Sequence, residues 1–111
     1  SALINENISA SVIPDSYLLA TFQNVDLVMV GCDLLTNNFF INKSGTAEVA
    51  RIAITNDIPF WIVAEKSRFI SNFDKPNSMD HIFEIIELEN FFYILSEMGL
   101  TKSFEYIRSA V

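Results

Sequence analysis

The chain has 111 residues, half of them apolar, with ten Phe and one Trp, which is enough for one small domain with a core of large side chains. Seven Lys and Arg against fourteen Asp and Glu give a net charge of −7. That argues against a dedicated nucleic-acid binder, since such binding rests on phosphate neutralisation by a basic face, and the acidity reads as solubility.

No apolar run approaches the roughly 18 residues of a membrane-crossing helix, and no secretory leader pattern is visible. One cysteine, Cys32, cannot make an internal disulfide, which fits a reducing compartment and so the cytoplasm. Ser1 stands where an initiator Met would, and reads as a remnant or a cut point, so the numbered chain is expected to be a piece of something longer.

In chain order, residues 2–7 read as a helix end or a frayed terminus and residues 10–13 as a short strand stopped by Pro14. Asp15 or Ser16 can cap a helix over 16–23, where Leu18, Leu19 and Phe22 fall at helical spacing. Residues 26–31 carry the continuous run Leu27-Val28-Met29-Val30 and predict a buried central strand ending at Gly31. Leu34-Leu35 and Phe39-Phe40-Ile41 flank Thr36-Asn37-Asn38, which predicts a hairpin whose two Asn take left-handed conformations. Ser44 is expected to cap a largely buried helix from Gly45 to about Asn56, with Glu48 suiting its first turn and Arg51 pointing out. Residues 59–64 form the next apolar strand. Strand–helix–strand–helix–strand order predicts an α/β fold, a Rossmann-like parallel sheet flanked by helices with right-handed crossovers.

Downstream, residues 71–80 have loop composition and residues 82–88 read as extended. Leu88, Phe91, Phe92 and Leu95 fall at i, i+3, i+4 and i+7 and predict an amphipathic helix over 87–97, with Gly99 just past it. Thr101 or Ser103 caps a last helical piece bearing Phe104, Ile107 and Val111.

The stretch 25–46 concentrates the chemistry. A strand delivers Asp33 to its C-terminal end, where open α/β sheets bind ligands. Lys43, Ser44, Gly45 and Thr46 then lead into a helix N-terminus, which favours anions. On these residues alone, Asp33 reads either as a turn acceptor or as a proton-transfer carboxylate. Asn42 and Lys43 read as a ligand pair or as a helix entry with an exposed Lys. Arg68 reads as a phosphate contact or a solvated side chain, Cys32 as packing, and Phe91-Phe92 as core or interface. His81 is the only histidine, with no second His or Cys nearby, so neither a metal site nor a cofactor is expected.

These residues also carry a family resemblance. Gly31-Cys32-Asp33, then Asn42-Lys43-Ser44-Gly45-Thr46, an alanine-rich helix and Pro59-Phe60 before an apolar strand resemble the C-terminal domain shared by three groups. These are the alpha, beta and delta subunits of translation initiation factor 2B, methylthioribose-1-phosphate isomerase and ribose-1,5-bisphosphate isomerase. Pro14-Asp15-Ser16, Glu65-Lys66-Ser67-Arg68-Phe69 and Leu95-Ser96-Glu97-Met98-Gly99 extend the likeness over roughly residues 8–107. Two positions depart from it: Cys32 stands for Ala and Arg68 for Lys. The resemblance implies that residues 1–111 are one α/β domain, incomplete relative to the full family domain. It implies that Asp33 is the acid/base position of aldose–ketose isomerisation, and that Asn42, Lys43, Gly45, Thr46 and Arg68 contact a phosphorylated sugar or nucleotide. Family members carry the catalytic cysteine and phosphate-binding arginines in an N-terminal half that these residues do not include. The expected function is therefore a regulatory or phosphorylated-small-molecule-binding domain of factor 2B subunit type, not catalytic alone. The alternative is the C-terminal portion of a sugar-phosphate isomerase, active only with that half. The expected partner is a second copy or a family-type subunit assembly, without nucleic acid or membrane.

Overall fold

The computed structural model describes residues 25–110 and the backbone of two short strands before them. These are β1 (Leu3–Ile4) and β2 (Ser9–Ala10), paired antiparallel. Leu3–Ile4 is therefore strand rather than a helix end. Of the strand expected at 10–13 only Ala10 is described, and the helix expected at 16–23 lies outside the described residues.

Two sheets follow. β3 (Val28–Val30), β6 (Phe60–Val63), β8 (Tyr93–Ser96) and β9 (Gly99–Lys102) form the first, in that order. β3–β6 and β6–β8 are parallel and β8–β9 antiparallel. β4 (Leu34–Leu35), β5 (Phe39–Lys43) and β7 (Phe83–Glu87) form an antiparallel sheet with β5 in the middle. Helix α1 (Thr46–Thr55) connects β5 to β6, a 3₁₀ turn (Lys66–Arg68) follows β6, and α2 (Ser103–Ala110) closes the chain. The expected α/β class is what the chain adopts, with the parallel strands extended by an antiparallel edge. No helix among the described residues is long and apolar enough to cross a membrane.

The core lies where the two sheets and both helices meet. Phe40, Phe60 and Phe92 stack through it, with ring centroids 6.4 Å and 4.7 Å apart, and Leu35, Ala53, Ile62, Ile94 and Ile107 pack around them. Strand alternation sends Phe60, Ile62 and Ile94 to this core and Trp61, Val63, Tyr93 and Leu95 to the opposite face. On that face Met29, Val63 and Leu100 remain 41%, 40% and 43% exposed.

Five further expectations are corrected. Among the described residues β3 is an edge strand, paired on one side only, with Met29 exposed. A continuous apolar run says that both faces are apolar, not that both edges are paired. Residues 87–97 hold β8 rather than a helix. Leu88, Phe91, Phe92 and Leu95 fit a helical period, but Tyr93-Ile94-Leu95 pair in register with β6, and Phe92 N donates to Glu89 O at 3.0 Å in the turn before them. Gly99, at φ 101°, consequently serves the β8–β9 hairpin. The β4–β5 hairpin forms as expected, yet neither Asn37 nor Asn38 is left-handed. Thr36, 1% exposed, closes that turn instead. Its Oγ1 donates to Phe39 O at 3.0 Å and accepts from the amides of Asn38 and Phe39 at 3.3 and 3.2 Å.

The last two corrections concern α1. Its N-cap is Gly45, at φ 98°, and Ser44 does not cap it; Ser44 Oγ donates to His81 O instead. The helix buries Thr46, Ala50, Ile52 and Ala53 while Ile54 is exposed, so one side is buried rather than most of the circumference. Arg51 points outward and pairs with Glu48 at 2.6 Å.

Glu97 illustrates how the hairpin end is tied down. Its carboxylate accepts from Lys66 N at 2.8 Å. Its pKa is lowered, first by its own backbone amide and then by that of Lys66. A depressed folded value gives a contribution fully present above the unfolded carboxylate pKa of about 4.3 and lost as pH falls through the folded one. The Lys66 amide resonance should accordingly titrate with a midpoint below that unfolded value. A midpoint at or above it would exclude the bond in solution.

Candidate functional site

The site forms where β3 ends and the β4–β5 hairpin returns. Past Val30 the chain turns through Gly31 and Cys32, and Asp33 N donates to Ile41 O at 2.8 Å. That bond clamps Asp33 to β5 immediately before Asn42 and Lys43. Lys43 Nζ lies 3.9 Å from Asp33 Oδ2, with the lysine side chain 73% exposed and that of the aspartate 37%. At that distance the pair attracts through space without a hydrogen bond. Asp33 Oδ2 is itself shielded from solvent and has no hydrogen-bond partner among the described residues. No turn amide among the described residues donates to it.

Asn42 Nδ2 donates to Thr46 Oγ1 at 3.0 Å, and Thr46 Oγ1 donates to Lys43 O at 2.7 Å. This relay locks the end of β5 to the first turn of α1. A Cβ built on Gly31 would stand 3.8 Å from Asn42 Oδ1, so the amide oxygen faces the end of β3. Asp33, Asn42, Lys43, Gly45 and Thr46 are therefore neighbours. Arg68 ends the 3₁₀ turn after β6, exposed. Its charge reaches Cys32, but among the described residues it makes no ion pair with Asp33 and no hydrogen bond to Asn42 or Lys43.

The Cys32 thiol is pushed up to about 12 by burial, with the Leu34 amide opposing, the Asp33 charge adding and Arg68 opposing. At pH 8 roughly one molecule in ten thousand then carries a thiolate, the form that reacts. Native chain should resist iodoacetamide at pH 8 while urea-unfolded chain alkylates readily; equal rates would refute the buried-thiol account. His81 is exposed and lies 3.2 Å from Asp80. No group of three or more His, Cys, Asp or Glu placed to hold a metal occurs among the described residues.

Sequence reasoning missed Glu84. It sits opposite Asn42 in the β5–β7 register, and its Oε1 accepts from Ala47 N, in the first turn of α1, at 3.0 Å. Gly45 at the N-cap has no side chain, so β7 supplies the acceptor from outside the helix. The partners are 37 residues apart, and only strand register brings them together. An apolar cavity of about 440 Å³, lined by Ile54, Pro59, Phe60, Phe91 and Tyr93 among others, opens at the N-terminal end of β6. The polar cluster lies at the other end of the parallel strands.

The α/β fold thus sets a carboxylate, a lysine and a helix N-terminus together at the carboxyl end of its first described parallel strand. The chain belongs to the initiation factor 2 subunit family, whose model matches residues 1–101. It is 33% identical over 88 residues to ribose 1,5-bisphosphate isomerase of Methanocaldococcus jannaschii, covering 78% of this chain and 26% of that protein. It is 36% identical over 70 residues to methylthioribose-1-phosphate isomerase of Leptospira biflexa, covering 60% and 20% respectively. The crystal structure of translation initiation factor eIF-2B from Pyrococcus horikoshii superposes with a TM-score of 0.76 at 22% identity, over 87% of this chain and 41% of that one, a likeness of fold. The chain thus spans about a quarter or less of the two curated relatives.

Proposed function

We propose that this chain is a domain of initiation factor 2B subunit type that binds a phosphorylated small molecule in a regulatory role and does not catalyse a reaction alone. The observation that carries this reading is the convergence of Asp33, Asn42 and Lys43 at one strand end, fixed by the Asp33 N–Ile41 O bond and the Asn42–Thr46–Lys43 relay. Lys43 supplies a mobile point charge for a phosphate, Asn42 a directional donor and acceptor for a sugar hydroxyl, and Gly45 and Thr46 the helix entry. Arg68 supplies a second cation from the end of β6. Titration with ribose 5-phosphate should raise the melting temperature of the wild type, and Lys43→Ala should remove most of that shift. Phosphate pairs with lysine through charge-assisted contacts, and ligand stabilisation follows occupancy. An equal response in Lys43→Ala removes Lys43 from the site.

A second reading, the C-terminal portion of an aldose–ketose sugar-phosphate isomerase of the ribose-1,5-bisphosphate or methylthioribose-1-phosphate type, is favoured by Asp33 Oδ2. A shielded carboxylate oxygen with no donor among the described residues suits proton transfer better than it suits holding a turn. Turnover then requires the N-terminal half carried by longer family members.

Self-association or assembly with a family subunit accompanies either reading, supported by the exposed Met29, Val63 and Leu100 on one sheet face. Sedimentation at high concentration should show a dimer or larger species, and a stable monomer would refute it. A cytoplasmic location goes with this function and with the unpaired Cys32.

A further inference from the structure

Thr46 is 7% exposed, and its single hydroxyl proton goes to Lys43 O at 2.7 Å. A carbonyl oxygen has no hydrogen to return, so toward Asn42, 3.0 Å away, Thr46 Oγ1 can only accept. Of the two ends of the Asn42 amide, only the NH2 group donates. The nitrogen therefore faces Thr46. The oxygen lies on the side of Gly31, where an added Cβ would stand 3.8 Å from Oδ1. We propose that Thr46 is a positioning residue that fixes the rotation of the Asn42 amide, so that Asn42 meets a ligand as a hydrogen-bond acceptor and selects a phosphate ester bearing a free hydroxyl over one without. This inference rests on the phosphate-binding reading above and assigns the feature of the ligand that Asn42 reads.

The backbone holds both ends of this relay. Asn42 is paired opposite Glu84 in the β5–β7 ladder, and Thr46 is the first residue of α1. Turning the amide over would set two oxygens against each other, unless the hydroxyl proton abandoned Lys43 O and left that carbonyl without it. Asn42 itself is only half-buried, so a ligand can reach it. Asp33, clamped beside it through Ile41 O, has the same requirement: Oδ2 is shielded and without a donor among the described residues. Two oxygens that accept and one ammonium that donates match a ligand with both hydroxyl hydrogens and an anionic group. A phosphate ester with no hydroxyl satisfies Lys43 and brings Asn42 Oδ1 nothing to accept. Sites built to bond a hydroxyl discriminate against analogues that lack it.

The test compares ribose 5-phosphate with methyl phosphate at pH 8, where both are dianions. Wild type should bind ribose 5-phosphate about tenfold more tightly. Thr46→Val keeps the side-chain shape but neither accepts from Asn42 nor donates to Lys43 O. It should lose most of that preference through weaker ribose 5-phosphate binding alone, with methyl phosphate affinity unchanged, and Thr46→Ser should restore it. A merely structural Thr46 would weaken both ligands together in Thr46→Val, which overturns the proposal, as does an unchanged preference in that variant. If Thr46→Val fails to fold, the isotope-labelled wild type decides. Ribose 5-phosphate should shift the Asn42 Cγ resonance and leave the Nδ2 protons in place, while methyl phosphate shifts neither. Movement of the Nδ2 protons instead of Cγ overturns the proposal. Equal affinity of wild type for the two ligands also overturns it and leaves the phosphate-binding reading standing. If wild type binds neither, both fall together.

Discussion

Phe60→Ala should cost about 3–5 kcal/mol and leave the chain largely unfolded at 37 °C. Phe60 is 2% exposed and is the middle ring of three, 6.4 Å from Phe40 and 4.7 Å from Phe92. Its removal takes a whole aromatic payload out of the centre. The cavity would lie between elements that cannot move together. Phe60 belongs to the first sheet and Phe40 to the second, and each is held by its own ladder. A domain of this length has about 5–15 kcal/mol in total, so the loss is a large fraction of it. Urea unfolding of the two proteins checks this through the midpoint at unchanged slope. Phe91→Ala is the built-in contrast: that ring is 53% exposed, and its loss should cost under about 1 kcal/mol. A Phe60 effect no larger than that of Phe91 would mean that the two sheets do not share a core.

How far the sequence foretells this arrangement depends on the distance over which each feature is decided. The β4–β5 hairpin, β6 and the loop over 71–80 were legible because their apolar runs and turn residues act locally. Residues 87–97 misled because a short apolar stretch can satisfy two periods at once. Leu88, Phe91, Phe92 and Leu95 sit at helical spacing, while Phe92 and Ile94 equally alternate with Tyr93 and Leu95 as a strand, and the neighbouring β6 decides. Ser44 looked like the cap of α1, yet Gly45 takes a left-handed conformation after it and Ser44 turns to His81 O. For the candidate site, the sequence placed Asp33 at the end of β3 and Asn42-Lys43 at the end of the hairpin, and the fold joins them through the Asp33 N–Ile41 O bond. Glu84 was beyond reach. FEIIE reads as an ordinary half-polar strand, and nothing in it reveals that register will set its first glutamate against an amide 37 residues upstream.

Asp33→Asn is the sharpest test of the isomerase reading. In a family-length polypeptide that carries the N-terminal half, it should lower aldose–ketose turnover by about 10²–10⁴-fold, the range spanned by positioned acid–base groups. The same substitution should change the stability of residues 1–111 by less than about 0.5 kcal/mol. The contrast follows from the geometry. The only charged partner among the described residues is Lys43, 3.9 Å away and 73% exposed, an ion pair that solvent largely screens. Among the described residues Oδ2 has no donor whose loss would be felt. An asparagine keeps the shape and forfeits the proton-accepting oxygen, so function and stability separate. A role as turn acceptor predicts the reverse, with stability falling and chemistry following it only through misfolding. Phosphosugar binding in the variant distinguishes a third case. If affinity drops with turnover while stability holds, Asp33 orients ligand rather than moving a proton. Full turnover in Asp33→Asn would take the carboxylate out of the mechanism and leave Lys43 and Asn42 as a binding site alone.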